Sequence, residues 1–258
     1  MSKSESFYGT CKLCLTHTKL CESHLLPRGV YVHSRGPENT PPLIVDAGGE
    51  RPSQHQYKQY LLCTACEQKF NDGGERYVLG LMSNRNHEFR LLELLKASPV
   101  TFKGELWCQF SAADTPLIDR ARLVYFAISV FWRASVASWK DANGDERVRI
   151  NLGRGYNEEL RKYLLGETDV PNLAFLVVYV CSDAASASRS FAPHENAKTK
   201  VGKLVGFLIR GIEFSFGIGK GVPLFQRHLS LTNSGSGWIH LRDCKEYRMW
   251  YLESPNRS

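Results

Sequence analysis

The sequence predicts an α+β protein built in two parts: a small cysteine-rich N-terminal domain over residues 1–98, then an α+β domain over residues 99–258 with one long helix and an antiparallel or mixed sheet. Three observations carry this. Two Cys-x-x-Cys pairs, Cys11/Cys14 and Cys63/Cys66, both fall in the first part. The segment "TPLIDRARLVYFAISVFWRASVASW" has helical periodicity, with Leu117, Ala121, Val124, Ile128, Phe131, Ser135 and Trp139 stepping by three or four. After Pro171 the texture changes to apolar runs punctuated by Gly and Ser, the pattern of strands.

The bulk composition allows such a fold. A chain of 258 residues is long enough to bury a core, and 43% hydrophobic with 23% charged residues excludes wholesale disorder. The longest apolar runs, "LVYFAISVFW" and "LAFLVVYVC", fall well short of the roughly 20 residues of a membrane helix, so no membrane association is expected. The N-terminal "MSKSESFYGTCKLC" lacks the apolar core of a signal peptide, and the expected location is the cytoplasm. The formal net charge of +7 favours a polyanionic partner, and without a polybasic tail any basic surface must be assembled by folding.

The elements follow in order. "SRGPENTPPLIVDAGGERPSQHQY", residues 34–57, reads as a long loop with one short strand at "LIV". "TACEQKFNDGGERYVLGLM" has a helical pattern that Gly73 and Gly74 should interrupt, and "HEFRLLELLKA" is helical. Thr115 is the expected cap of the long helix, with Pro116 in its first turn. "NEELRKYLLG" predicts a shorter helix capped by Asn157 and stopped by Gly166. "NLAFLVVYVC", "GKLVGFLIRGIEFSFGIG" and "GWIHLRDCKEY" predict strands, and Asp183–Arg189 a small-residue loop. The glycines of "FGIGKGV" lack the spacing of a phosphate-binding loop and read as a hairpin turn.

Five of the eight cysteines lie in the first 66 residues, a density that points to metal binding before disulfides in a cytosolic chain. Two Cys-x-x-Cys knuckles can supply Cys11, Cys14, Cys63 and Cys66 as the four thiolates of a tetrahedral structural Zn²⁺ site. A rival set, Cys11, Cys14, Cys21 and His24, could also close a zinc site and would consume His24.

"CKLC", then "SHLLPRGVY", then "YLLCTACEQKF" resembles a common bacterial family of HNH-like endonucleases, over residues 11–77 and more thinly from 120 to 165. The resemblance implies a zinc-binding treble-clef, or ββα-metal, N-terminal domain. It implies structural zinc on the two Cys-x-x-Cys pairs, His24 as the general base, and Glu67 with Asn71 as ligands of a catalytic Mg²⁺ or Mn²⁺. A neutral imidazole can take a proton from attacking water, and carboxylates suit a hard cation. The sequence departs from the family at Ser23, where many members carry a metal-binding acid or His. No middle Asn is present either; Lys58 stands near its usual place and Gln59 is the nearest amide.

The residues also allow plainer readings. His24 is a base, a zinc ligand or a structural histidine, and Glu67 is a metal ligand or a solvated acid in a helix's first turn. Arg28, Arg35, Lys58 and Lys69 are candidate phosphate contacts, and the Trp132/Ser135/Trp139 stripe reads as core or a protein contact before a base-stacking platform. The activity that the resemblance implies is phosphodiester hydrolysis of nucleic acid, with DNA the expected substrate, in a bacterial defence or mobile-element effector. The alternative is a non-catalytic zinc-stabilised module that binds nucleic acid or protein. Residues 99–258 are expected to position substrate or to dock a regulatory partner or a second copy.

Overall fold

The computed structural model describes residues 7–35, 43–46, 49–52, 55–105, 107–183, 190–199, 202–232 and 237–243. The expected loops at 36–42 and 184–189, and the end of "GWIHLRDCKEY", lie outside the described residues.

The chain opens with β1 (Tyr8–Thr10) and β2 (His17–His24), an antiparallel pair whose connecting turn carries the first Cys pair. Helix α1 (Arg28–His33) follows Pro27, then the ribbon of β3 (Leu43–Asp46) and β4 (Gly49–Pro52), then β5 (Lys58–Cys63). Strand β5 pairs with β2, so β1-β2-β5 form a three-stranded sheet. The strand predicted at "LIV" is β3.

Helix α2 (Thr64–Phe70) starts at the end of β5 and does not stop at the glycines. A π turn over Asn71–Glu75 carries it into α3 (Arg76–Leu81). The expected interruption is a local widening, and the reason is steric. A Cβ on Gly73 would lie 2.4 Å from the Tyr125 ring, and one on Gly74 would lie 2.7 Å from the Arg122 carbonyl oxygen. The glycines let this helix press against the long helix of the second part. Such π turns are frequent at functional sites. Helix α4 (Arg90–Lys96) follows as predicted.

Strands β6 (Phe102–Lys103) and β7 (Trp107–Ser111) precede the long helix α5 (Arg120–Val136). Its cap is Asp119, whose carboxylate accepts from the Arg122 amide at 3.1 Å; Thr115 instead donates to the Ser111 carbonyl. Thr115 and Pro116 sit in a turn before the helix, which leaves Leu117 74% exposed, off the predicted apolar stripe. From Leu123 to Ala134 all but Tyr125 are buried, so α5 is enclosed on nearly every side and is not amphipathic in the expected way.

Strands β8 (Trp139–Lys140) and β9 (Glu146–Val148) form a small ribbon before α6 (Arg154–Leu165). This helix begins earlier than predicted, after Gly153 at φ +91°, so Asn157 already donates its amide to the Gly153 carbonyl. Gly166 ends it in the left-handed region at φ +81°, as expected.

The remaining strands are β10 (Ala174–Cys181), β11 (Ser190–Thr199), β12 (Gly202–Ile209), β13 (Ile212–Gly219) and, after the short α7 (Leu224–His228), β14 (Trp238–Arg242). The sheet is mixed, in the order β4-β3-β11-β12-β13-β10-β14-β7-β6; β3/β11 and β10/β14 run parallel. The turn after "FGIG" leads into α7, not into a return strand, because Pro223 starts that helix. Phe126 and Phe131 of α5 stack on Phe207, Phe214 and Phe216 of the sheet at centroid distances of 4.9 to 6.0 Å. On the other side Trp132 meets Phe70 of α2 edge-on at 6.1 Å. One hydrophobic core therefore runs from the cysteine-rich sheet through α5 to the large sheet. Trp132 and Trp139 are 1% exposed and belong to it. Among the described residues, no helix is long and apolar enough to cross a membrane.

Candidate functional site

The four cysteines of the two pairs converge. Cys11 and Cys14 lie in the tight turn between β1 and β2, closed by Cys11 N–H to the Thr16 carbonyl at 3.0 Å. Cys63 ends β5 and Cys66 sits in the first turn of α2. Their sulfurs all lie within 4.8 Å of one another, and Cys14 and Cys63 are 3.9 Å apart. Zinc–sulfur bonds of about 2.3 Å in a tetrahedron put sulfurs roughly 3.8 Å apart, so the cluster fits a Zn²⁺ ion. Burial pushes the Cys11 and Cys66 thiols up. At Cys14 burial also pushes upward, but hydrogen bonds from Thr16 and neighbouring thiols outweigh it and bring the thiol to about 6. The Lys12 amide donates to Leu61 at 3.1 Å and Arg161 of α6 donates to the Leu13 carbonyl at 2.9 Å, so the turn is tied to both parts of the protein.

The rival ligand set does not form. The Cys21 sulfur lies 3.3 Å from the Thr64 hydroxyl and is no member of the cluster, nor is His24. Beyond the end of the sheet, His24, Pro27, Arg28, Thr64, Glu67, Gln68, Asn71, Glu75 and Arg133 line a cleft of about 290 Å³. The fold thus brings His24 on β2 to Glu67 and Asn71 on the face of the helix. Successive turns of α2 and the π turn aim Thr64, Glu67, Asn71 and Glu75 the same way.

His24 is held at its ring and at its backbone. Its Nε2 lies 2.9 Å from the Gln56 carboxamide oxygen, which can only accept, so this contact favours the tautomer that carries its proton on Nε2. Its backbone carbonyl accepts from Arg133 at 2.8 Å. The same guanidinium, 1% exposed, donates to the Glu75 carboxylate at 2.6 Å and sits 5.2 Å from the centre of the Phe70 ring. Glu75 is thereby committed to a charge pair. Glu67 is not: its Oε1 is buried and, among the described residues, has no hydrogen-bond partner. A buried carboxylate oxygen without a donor costs on the order of 1–3 kcal/mol, which a bound cation would remove.

Ser23 is 1% exposed and accepts from the Leu62 amide at 3.1 Å. Strand alternation turns it into the core, away from the cleft that the next residue faces. Of the candidate phosphate contacts, only Arg28 lines the cleft. Lys58 pairs with Glu22 at 2.7 Å on the exposed sheet surface, and Lys69 donates to the Leu165 carbonyl at the end of α6. Arg35 lies just beyond α1, outside the cleft lining. His33, His55 and His87 do not line the cleft.

Two residues that hold His24 in place escaped the sequence reading. Gln56 lies in a polar loop without periodicity; the amide closest to the expected place, Gln59, donates instead to the Ser138 carbonyl. Arg133 was legible in principle, as a charge inside the apolar run "FAISVFWRASV". No family model, curated protein or solved structure matches this chain.

Proposed function

We propose that the protein is a metal-dependent endonuclease of the HNH-like kind, hydrolysing phosphodiester bonds of nucleic acid, with DNA the expected substrate and the cytoplasm the place of action. The observation that carries this reading is the cleft lined together by His24, Glu67 and Asn71, with one Glu67 carboxylate oxygen buried and, among the described residues, without a hydrogen-bond partner. The Cys-rich turn, the β2/β5 pair and α2 are read as a treble clef whose structural Zn²⁺ sits apart from the reacting centre.

In this reading Gln56 favours the ring tautomer in which Nδ1 of His24 takes the proton of the attacking water. Arg133 holds the His24 backbone through its carbonyl, and Arg28 contacts the phosphate at the cleft mouth. A Mg²⁺ or Mn²⁺ ion held by Glu67 and Asn71 would neutralise the scissile phosphate and the leaving oxygen.

The test is plasmid nicking by wild type and Glu67→Gln, each with Mn²⁺ titrated and zinc content measured. The reading expects one zinc per chain in both proteins, Mn²⁺-dependent nicking by wild type, and a variant that needs far more Mn²⁺. Equal nicking by both proteins without added metal overturns it.

A further inference from the structure

The three-stranded sheet carries a pair of stacked aromatic rings that close no core. Phe7 and Tyr60 lie with centroids 4.7 Å apart and planes 15° from parallel. Within the core, the Phe131/Phe216 pair has nearly the same geometry, 5.2 Å and 19°, and both rings are fully buried. Phe7 is 49% exposed and Tyr60 44%. About half of each residue's surface is therefore open to solvent.

The position of the pair is set by strand register. Tyr60 stands opposite Glu22, and two residues along the same strands Lys58 stands opposite His24. Residues two apart on a strand share a face, so roughly 7 Å of strand separates Tyr60 from the residue facing the candidate base. The strands of this sheet carry Lys19 and Lys58 against Glu22. Over residues 7–35 and 55–63, Glu22 is the single acid against Lys12, Lys19, Arg28, Arg35 and Lys58. Glu22 engages one of these, Lys58, at 2.7 Å.

Exposed rings beside lysines are what unpaired bases require. The bases stack on the aromatic faces while the backbone follows the cations. A duplex keeps its base faces to itself and gains only from the cations. We propose that Phe7 and Tyr60 form a base-stacking platform, so that the substrate class is nucleic acid with unpaired bases beside the scissile phosphate. The inference rests on the nuclease reading for its strand direction toward the cleft. The platform itself is testable without cleavage.

The experiment is fluorescence-anisotropy binding of a labelled oligothymidylate and of a labelled duplex to full-length protein carrying His24→Ala, without Mg²⁺ or Mn²⁺. Tyr60→Ala and Phe7→Ala, both at exposed positions, are added singly to this background. Each is expected to weaken single-strand binding by about 5- to 150-fold, the range for a lost stacking partner, with duplex binding unchanged and zinc content intact. Tyr60→Phe is expected to retain wild-type affinity. Lys58→Ala should weaken both ligands alike and lower the salt dependence. Unchanged single-strand binding in the alanine variants, or equal loss for both ligands, overturns the platform. So does a change of oligomeric state in light scattering with oligonucleotide affinity intact, which would make the rings a protein contact. If wild type never cuts but these ring effects appear, the platform stands and the nuclease reading falls; cutting without ring effects gives the reverse.

Discussion

Arg133 is the side chain through which α5 reaches the cleft, and removing its partner should be costly. The guanidinium is 1% exposed and the Glu75 side chain 12%, with 2.6 Å between them. Glu75→Ala leaves that cation buried with uncharged partners alone, the His24 and Ser129 carbonyls and the Ser129 hydroxyl. Breaking a buried pair from one side typically costs about 3–5 kcal/mol, because an uncompensated charge remains. Arg133→Met fills similar volume against Phe70 but strands the Glu75 carboxylate. Carrying both substitutions removes both charges, so the double variant should be more stable than the sum of the singles predicts by at least about 2 kcal/mol. Urea unfolding of zinc-saturated wild type, both singles and the double measures this cycle. Single costs under about 1 kcal/mol, or additivity within about 0.5 kcal/mol, would refute the reasoning.

Other parts of the structure make their own predictions. Gly74→Ala drives a Cβ into the Arg122 carbonyl at 2.7 Å and should destabilise by about 1–3 kcal/mol, while Gly80→Ala, with nothing within 4 Å, should stabilise by about 0.5–1 kcal/mol; thermal unfolding of the pair checks the contrast. Burial pushes His240 down to about 4, helped by the Arg242 charge and opposed by its bond to the Leu229 carbonyl. The folded protein therefore binds this proton less readily than the unfolded chain does. Its contribution is fully present above about pH 6.5 and is lost as pH falls toward 4, by at most about 3 kcal/mol. His240→Gln should flatten that part of a stability–pH curve.

The sequence made the local features legible where a residue type has one job. The Cys-x-x-Cys spacing led to the sulfur cluster, Gly166 to a helix end, and the apolar runs after Pro171 to β10, β12 and β13. Misreadings came where tertiary contact overrode local preference. Gly73 and Gly74 read as helix breakers, yet packing on Tyr125 and Arg122 makes use of their missing side chains. Thr115 reads as a cap, but the helix waits for Asp119. The cleft was half legible. His24, Glu67 and Asn71 could be picked out by pattern, whereas Gln56 and Arg133 come to hold His24 only through folding, from a polar loop and from the middle of an apolar helix. Ser23 read as a weakened ligand position, and strand alternation buries it elsewhere. The Phe7–Tyr60 pair joins residues distant in the chain, so nothing in local sequence announces it.

The most direct test of the account is cleavage of plasmid and of single-stranded DNA by His24→Ala beside wild type, with Mg²⁺ or Mn²⁺ and with zinc quantified in both proteins. The account predicts that the variant keeps its zinc and its fold and loses about 10²- to 10⁴-fold in rate, the usual worth of a general base. A variant that cuts as fast as wild type, or one that loses its zinc, would contradict the assignment of His24 as the base in a cleft separate from the sulfur cluster.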